Sequence, residues 1–210
     1  SAAKPPATML NSLRECRNTP GQAHLPPRTI RSDSPLAPAT RHMFLAGSRL
    51  LLSATDLANF LSCRHRTALD MAAAHGKLTR QFYEDPMLDL LRKRGLAHEA
   101  AYVESPGCQR IVDLSKVQNK QDRLAGTMDA MKLGAEVIVQ GALGDDTWFG
   151  YPAVLKRVES PSALGGWSYE VVDTKLSRET KAGTILQLGL YTELVSAVQE
   201  KCPEYFHVVT

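Results

Sequence analysis

The chain has 210 residues, of which 22% are charged and 43% hydrophobic, with a formal net charge of +3. This composition is typical of a globular protein, and no stretch approaches the roughly 18 apolar residues of a membrane-spanning helix. Residues 1–48 hold six Lys/Arg and two acidic side chains, a net +4, which leaves −1 for the rest of the chain. Net charge therefore gives no independent argument for nucleic-acid binding.

Seven of the twelve prolines precede residue 40. Proline restricts φ and removes a backbone donor, so a segment this rich in proline sustains neither helices nor strand ladders. We predict a disordered Pro/Arg/Ser-rich leader over residues 1–48 and a folded domain over residues 49–210. The chain ends at Thr210 inside a predicted strand, which suggests a domain truncated at its C-terminus.

The four cysteines are widely spaced and form no CxxC pair: Cys16, Cys63, Cys108 and Cys202. Neither a disulfide framework nor a zinc ribbon is expected from this spacing. There is also no signal peptide with an apolar central region. The expected location is a reducing cytoplasm.

Three helices come first in the predicted order of elements. Ser53 is the candidate N-cap of a helix that runs through "SATDLANFLSCRHRTALDMAAAH" with apolar residues at helical spacing. The second lies in "DPMLDLLRKRGLAHEAAYVE", where Asp85 suits the N-cap and Pro86 the first helical position. The third covers roughly residues 121–133 and ends at Gly134.

After the third helix the pattern changes to that of strands. "EVIVQGAL" predicts a strand, "GDD" a turn, and "TWFGYPAVLKRVE" one or two further strands. The loop "SPSALGG" is followed by the strand "WSYEVVDTKL", the long amphipathic helix "AGTILQLGLYTELVSAVQE" and the strand "YFHVVT". Helices, an antiparallel meander, a helix and a strand together indicate an α/β fold.

Asp173 and Lys175 place two charges in the apolar strand "YEVVDTKL". Residues i and i+2 of a strand project from one face, about 6–7 Å apart along it. A carboxylate is a hard oxygen ligand for Mg²⁺, and a lysine can orient water and stabilise phosphate charge. The alternative is a cross-strand salt bridge at a sheet edge.

Gln187 and Tyr191 follow on the predicted long helix at i, i+4 spacing, so they share one helix face. The alternative is the polar outer stripe of an amphipathic helix. An Asp-x-Lys strand followed after about a dozen residues by Gln-x-x-x-Tyr is nevertheless a known signature.

These motifs resemble the RecB-like branch of the PD-(D/E)xK nuclease superfamily, most closely the bacterial RecB-family nucleases that precede a helicase domain. The matching stretches span about residues 50–210: "GLAHEA", "VIVQGAL", "WFGYPAVLKRVE", "YEVVDTKLSRETKAGTILQLGLY" and "FHVVT". The resemblance implies a restriction-endonuclease-like core, a mixed central sheet flanked by helices, with extra N-terminal helices. It also implies a cytoplasmic bacterial protein of DNA repair or defence, with DNA and a helicase domain or subunit as partners.

The resemblance further implies a Mg²⁺ or Mn²⁺ site. In the family a helical histidine in a Gly-x-x-His context binds the metal, and Gly95 and His98 match it here. The acid of the Asp-x-Lys strand is a second ligand and the next backbone carbonyl a third, which places them at Asp173 and Thr174. Glu99, about 100° round the helix from His98, is a weaker candidate. Taken alone, His98 favours a surface or half-buried helix histidine, and the later motifs shift the balance toward a metal ligand.

The catalytic roles carried over from the family fall on three further side chains. Lys175 would assist the attacking water beside Asp173. Gln187 and Tyr191 would support the site and contact the DNA strand.

Ala153 departs from the family pattern. An aspartate is expected after "FGYP", where it bridges the metal and the scissile phosphate. A methyl group cannot ligate Mg²⁺, which takes about six oxygen ligands. Asp145 and Asp146 lie in the predicted turn, and Glu159 lies roughly 20 Å along the strand, so none of them replaces it. Either the nuclease is degenerate or the alanine was introduced to disable it.

Two weaker signals remain. Cys63 is placed like the first cysteine of the iron–sulfur cluster of some RecB-like nucleases, but only Cys202 follows the core, so no four-cysteine cluster is expected in this chain. A local phosphate-binding track or, equally, solvated helix faces would account for the basic residues Arg64, Arg66, Arg92, Lys93 and Arg94.

The expected function is metal-dependent hydrolysis of DNA phosphodiesters, impaired because position 153 lacks its ligand. The first alternative keeps the fold without the reaction, as an inactive DNA-binding pseudonuclease or scaffold of a helicase–nuclease. The second is a protein-interaction domain without a nucleic-acid role, in which Asp173 and Lys175 form only a salt bridge.

Overall fold

A computed structural model describes residues 42–79, 85–103, 110–176 and 179–210. Within these ranges the chain forms a mixed α/β fold, in which helices flank a five-stranded mixed sheet. The predicted fold class is confirmed at this level. None of the helices in the described ranges is long and apolar enough to cross a membrane.

The described chain opens with a hairpin of two short strands. β1 (Phe44–Ala46) pairs antiparallel with β2 (Arg49–Leu51), and Met43 just before it is buried. The first strand lies inside the stretch 1–48 that was predicted to be disordered. The hairpin forms here because Met43 and Leu51 are buried, and the seven prolines of the predicted leader all lie before it. Residues 1–41 of the predicted leader lie outside the described residues.

The first predicted helix is in fact two helices. Cys63 separates α1 (Ala54–Ser62) from α2 (Arg64–Ala74), and its φ of −161° and ψ of 103° are extended. Ser53 caps α1 as predicted: its Oγ accepts from the Asp56 N–H at 3.2 Å, and the Asp56 carboxylate accepts from the Ser53 N–H at 2.8 Å. No proline or glycine marks the break at Cys63, so no sequence signal indicates it.

Three longer helices follow, each within one residue of its predicted start. α3 (Pro86–Val103) begins after Asp85, whose Oδ1 accepts from the Met87 N–H at 2.9 Å, which confirms the predicted cap. α4 is Lys120–Lys132 and α5 is Ala182–Gln199.

Seven further strands complete the fold: β3 (Ile111–Asp113), β4 (Val137–Val139), β5 (Leu143–Gly144), β6 (Phe149–Gly150), β7 (Val154–Val158), β8 (Ser168–Thr174) and β9 (His207–Val209). The central sheet has the order β3-β4-β7-β8-β9, and β5 and β6 form a separate hairpin. β7 is antiparallel to both neighbours, whereas the β3–β4 and β8–β9 pairs are parallel. β3 was not predicted, since it is short and only its middle residue is partly buried.

Helices cover both faces of the central sheet. Side chains alternate along β7 and β8, so Leu155 and Val171 face one way and Val154 and Val172 the other. The first face packs against α4 and α5 through Met131, Leu188 and Val195. The second face packs against the end of α3 through Tyr102 and Val103.

Tyr169 ties β8 to the turn after α4. It is fully buried, and its hydroxyl donates a 2.6 Å hydrogen bond to the Ala135 carbonyl. Burial raises the pKa of Tyr169 to about 12, although the positive charges of Arg157 and Arg110 act in the opposite direction. The folded protein therefore favours the neutral phenol.

Tyr169→Phe is expected to lower the free energy of unfolding by about 1–2 kcal/mol at pH 7, because the Ala135 carbonyl loses its donor. The folded pKa lies above the ordinary value of 10.0, so the wild type keeps this stabilisation below pH 10 and loses it as pH rises toward 12. Urea unfolding of both proteins at pH 7, 10 and 12 measures the difference. A difference that does not shrink above pH 10 would contradict the buried neutral phenol.

Candidate active site at the end of strand β8

The charged pair Asp173 and Lys175 lies where β8 ends. Asp173 is the last strand residue but one, and the Lys175 N–H donates to the Val209 carbonyl at 2.8 Å. Lys175 Nζ is 2.8 Å from Asp173 Oδ2, and the two side chains are 36% and 17% exposed. The pair is therefore a partly exposed ion pair along one strand, which presents a carboxylate and an ammonium group together.

Ala153 lies opposite this pair on the neighbouring strand. In the β7–β8 ladder Val154 is opposite Val172, and continuing that antiparallel register by one residue sets Ala153 opposite Asp173. The Ala153 carbonyl accepts from the Gln140 N–H at 2.8 Å, which ties this position to the end of β4 as well. Position 153 therefore directly precedes the pair Val154–Val172, and Asp173 directly follows it.

Gln140 connects helix α3 to the same end of the sheet. It directly follows β4 with a φ of +51°, in the left-handed region that residues other than glycine rarely adopt. Its amide donates to both carboxylate oxygens of Glu99, at 2.8 and 3.1 Å. The sequence did not point to Gln140, and Glu99 was predicted to be a weaker metal-ligand candidate than His98. The sequence signal that could have identified Gln140 is its position as a polar residue between the apolar strand "VIV" and a glycine.

His98 lies on α3, one residue before Glu99, and is half-buried. Its Nδ1 atom is shielded from solvent and finds no hydrogen-bond partner in the described ranges. The end of α3 packs on the sheet face that also contacts Ala153. A shielded imidazole nitrogen of this kind is a position for a ligand or a water molecule.

These residues have the chemistry of a metal site but not its full set of ligands. An Asp173 oxygen and the Thr174 carbonyl are donors that Mg²⁺ or Mn²⁺ accepts, whereas the imidazole nitrogen of His98 suits other first-row metals better. Within the described ranges, however, the one group of three His, Cys, Asp or Glu side chains close enough to share an ion lies elsewhere. The oxygen donors at the end of β8 therefore fit Mg²⁺ or Mn²⁺ in kind, and the alanine at position 153 adds none.

The predicted pair on α5 reaches the segment before Ala153 through Tyr191. Tyr191 packs against the larger core cluster, and a Cβ built on Gly150 would lie 2.6 Å from its Cε1 and 2.9 Å from its Oη. Gln187 is half-buried one helical turn earlier. Tyr191 is therefore a packing residue for the chain that leads into β7, whatever further role it has.

Aromatic and cationic side chains anchor the same segment. The rings of Phe149 and Tyr151 meet edge to face with centroids 5.3 Å apart, and the Arg123 guanidinium lies 4.8 Å from the Tyr151 centroid. Burial raises the pKa of Tyr151, although the charge of Arg123 opposes this. These contacts, which the sequence did not indicate, hold the approach to Ala153 in place.

The other acidic residues considered as replacements for the aspartate expected at position 153 have partners of their own. Asp145 Oδ1 accepts from the N–H groups of the two residues that follow Asp146, at 2.7 and 2.6 Å, so it is the turn residue that was predicted. Asp146 is ion-paired with Arg49. Glu159 is exposed and lies 2.7 Å from the Arg157 guanidinium.

The predicted basic residues lie on two helices. Arg64 stacks 5.4 Å from a phenylalanine ring of α1, and Arg66 lies 3.9 Å from an aspartate of its own helix. Lys93 and Arg94 are exposed on α3, the helix that carries the histidine. The side chain of Arg92 lies outside the described part of the chain.

The two cysteines that the structure describes differ in state. Cys63 is a free, exposed thiol, whereas Cys202 is disulfide-bonded. The bond differs from the reduced state expected from the wide spacing of the cysteines, because folding can join cysteines at any sequence separation. In this state Cys202 offers no thiolate to an iron–sulfur cluster.

Comparison of the chain with protein-family models, with curated protein sequences and with solved structures gives no match.

Gly150→Ala is expected to destabilise the protein by about 1–3 kcal/mol, because the new methyl group would overlap the ring of Tyr191. Gly166→Ala is the matched control, since nothing lies within 4 Å of a Cβ built there. Chemical unfolding of both variants measures the effect. Equal stability of the two would show that the Tyr191 ring does not rest on Gly150.

Proposed function

We propose that this chain is a metal-dependent DNA phosphodiester hydrolase domain of the RecB-like nuclease type, impaired by the alanine at position 153. The observation that carries the proposal is the Asp173–Lys175 ion pair at the strand end, with Ala153 opposite Asp173 in the continued register. A PD-(D/E)xK site needs an acid on each of two neighbouring strands and a lysine after the second. Here the second acid and the lysine are present, and the first acid is an alanine.

The architecture supports the proposal. A restriction-endonuclease-like core is a mixed sheet flanked by helices, and this chain has a mixed sheet with α3 on one face and α4 and α5 on the other. In the proposed site, β7 and β8 are the two catalytic strands. α3 would add His98 from its own face of the sheet.

Each side chain has a role in the proposed reaction. Asp173, the Thr174 carbonyl and His98 would hold Mg²⁺ or Mn²⁺, which when bound supplies Lewis acidity at the phosphate. Lys175, 2.8 Å from Asp173, orients a water molecule and stabilises negative charge on the phosphate oxygens. Gln187 and Tyr191 support the strand end from α5 and contact the DNA.

The same geometry accounts for the impairment. The methyl group of Ala153 offers no oxygen beside Asp173. The two carboxylate oxygens of Glu99 accept from the Gln140 amide. Asp173 is left with Lys175 as its charged partner, so the site holds a cation weakly.

Ala153→Asp is expected to raise the rate of DNA cleavage by at least about a hundredfold in Mg²⁺ or Mn²⁺, since it restores an oxygen ligand for the metal. Cleavage should stop in EDTA. The measurement is a time course with labelled single-stranded and double-stranded DNA, beside the unchanged chain.

Two further variants make this test specific. Ala153→Asn has nearly the same size without the charge and should stay inactive. Adding Lys175→Ala to Ala153→Asp should remove the restored activity. A folded Ala153→Asp protein that cuts no DNA in either metal would overturn the hydrolase assignment.

A DNA-binding module without hydrolysis is the second candidate, favoured by the alanine itself and by the exposed Lys93 and Arg94 on α3. Such a module would act as a scaffold beside a helicase domain or subunit. Binding through phosphates weakens with salt, with a log–log slope of about −0.9 per contact on duplex DNA.

Lys93→Ala and Arg94→Ala are each expected to reduce that salt slope by about 1, because each removes one phosphate contact. Lys132→Ala, an exposed lysine on α4 across the sheet, is the control. Fluorescence anisotropy at several salt concentrations gives the slopes. If neither the unchanged chain nor Ala153→Asp binds DNA in a salt-dependent way, a protein-interaction domain remains and both nucleic-acid roles are wrong.

A further inference from the structure

A separate group of potential ligand atoms lies where the described chain begins. His42, Asp56 and Asp70, named here the His42 cluster, each place one such atom within 4.8 Å of the others. His42 Nδ1 is 3.8 Å from Asp56 Oδ1. His42 precedes β1, Asp56 lies on α1 and Asp70 on α2, so the cluster joins three segments of the chain.

Asp56 is the most buried member, with 4% of its surface exposed. Its Oδ2 belongs to the helix cap and accepts from the N–H and the hydroxyl of Ser53, at 2.8 and 2.6 Å. Its Oδ1 is shielded from solvent and has no hydrogen-bond partner among the residues that the structure describes. An unpartnered buried carboxylate oxygen is unfavourable, which indicates that a ligand belongs at this position.

The Asp56 carboxyl lies under the surface and faces the imidazole of His42.

Other polar atoms of the two helices are also unsatisfied. Within the described part of the chain, three shielded atoms have no hydrogen-bond partner: His42 Nδ1, Asn59 Nδ2 and Thr67 Oγ1. Asn59 is three residues after Asp56 on α1, and Thr67 is three residues before Asp70 on α2, so each shares a helix face with a member of the cluster. The junction of α1 and α2 thus contains several polar atoms that the protein itself does not satisfy.

The donor set selects the class of ion. One imidazole nitrogen and two carboxylate oxygens suit a divalent first-row metal such as Zn²⁺ better than Mg²⁺ or Ca²⁺, which prefer oxygen ligands alone. We propose that the His42 cluster binds one Zn²⁺ ion through His42, Asp56 and Asp70. Zinc bonds of about 2.0–2.2 Å bring tetrahedral ligands to about 3.4 Å from one another, so the cluster must contract by about an ångström.

The ion would have a structural effect, since it would link the segment before β1 to both α1 and α2. The cluster shares no residue with the site at the end of β8, so this proposal does not depend on the proposed function. Arg66, whose Nε lies 3.9 Å from Asp70, offsets part of the negative charge of the two carboxylates while no ion is bound.

The test is calorimetric titration of Zn²⁺ into the full chain after removal of metals with EDTA. One saturable site is expected. His42→Ala and Asp70→Asn should each weaken binding at least about a hundredfold, since loss of a ligand exceeds the effect of losing an outer-shell contact. His65→Ala, an exposed histidine on α2 outside the cluster, is the matched control and should bind as the unchanged chain does.

Two readouts separate binding from folding and from the other site. Zn²⁺ at a hundredfold excess over its Kd should raise the Tm of the unchanged chain by roughly 5–10 °C. The Tm of His42→Ala should be the same with and without Zn²⁺. Asp173→Asn should keep full Zn²⁺ affinity, whatever the nuclease assays show. No saturable binding, or equal binding by His42→Ala and His65→Ala, would overturn the zinc site and leave a buried histidine–aspartate pair.

Discussion

The antiparallel ladder between β7 and β8 is the constraint on which the rest of the structure depends. A slip of one residue would move every side chain of a strand to the opposite face. The observed register pairs Val154 with Val172 on the α3 side and Leu155 with Val171 on the α5 side, so both helical layers meet apolar surface. The same register sets Ala153 opposite Asp173. Core packing and the geometry of the candidate site therefore have one common cause.

The charges at the end of β8 are not explained by stability. A partly exposed ion pair such as Asp173–Lys175 contributes about 0–1 kcal/mol, and an apolar or β-branched pair would suit a strand at least as well. The surroundings add polar groups, with a half-buried His98 on α3 and a Glu99 held by Gln140. The His42 cluster differs from the site at the end of β8. Its members belong to the segment before β1, to α1 and to α2, and it shares no residue with that site.

Local signals predicted the elements with strong caps or long apolar runs, such as α3 with its Asp85 cap and the buried strand β8. They missed β3, whose three residues are held by pairing with a distant strand, and the helix break at Cys63, which no proline or glycine marks. Within the candidate site, Asp173 and Lys175 were found because charges inside an apolar strand stand out in a sequence. Gln140 was missed because its role depends on a helix about forty residues away.

The sequence by itself determined that Asp173 and Lys175 share a strand face, that His98 lies on a helix and that position 153 has no ligand. The first two properties follow from the local side-chain periodicity of strands and helices, and the third from the identity of the residue itself. Only the tertiary structure decided that Val154 pairs with Val172, that Gln140 binds Glu99, and that His42, Asp56 and Asp70 meet. Those meetings depend on strand register and helix packing between distant segments, and a local pattern carries no information about which segments come together.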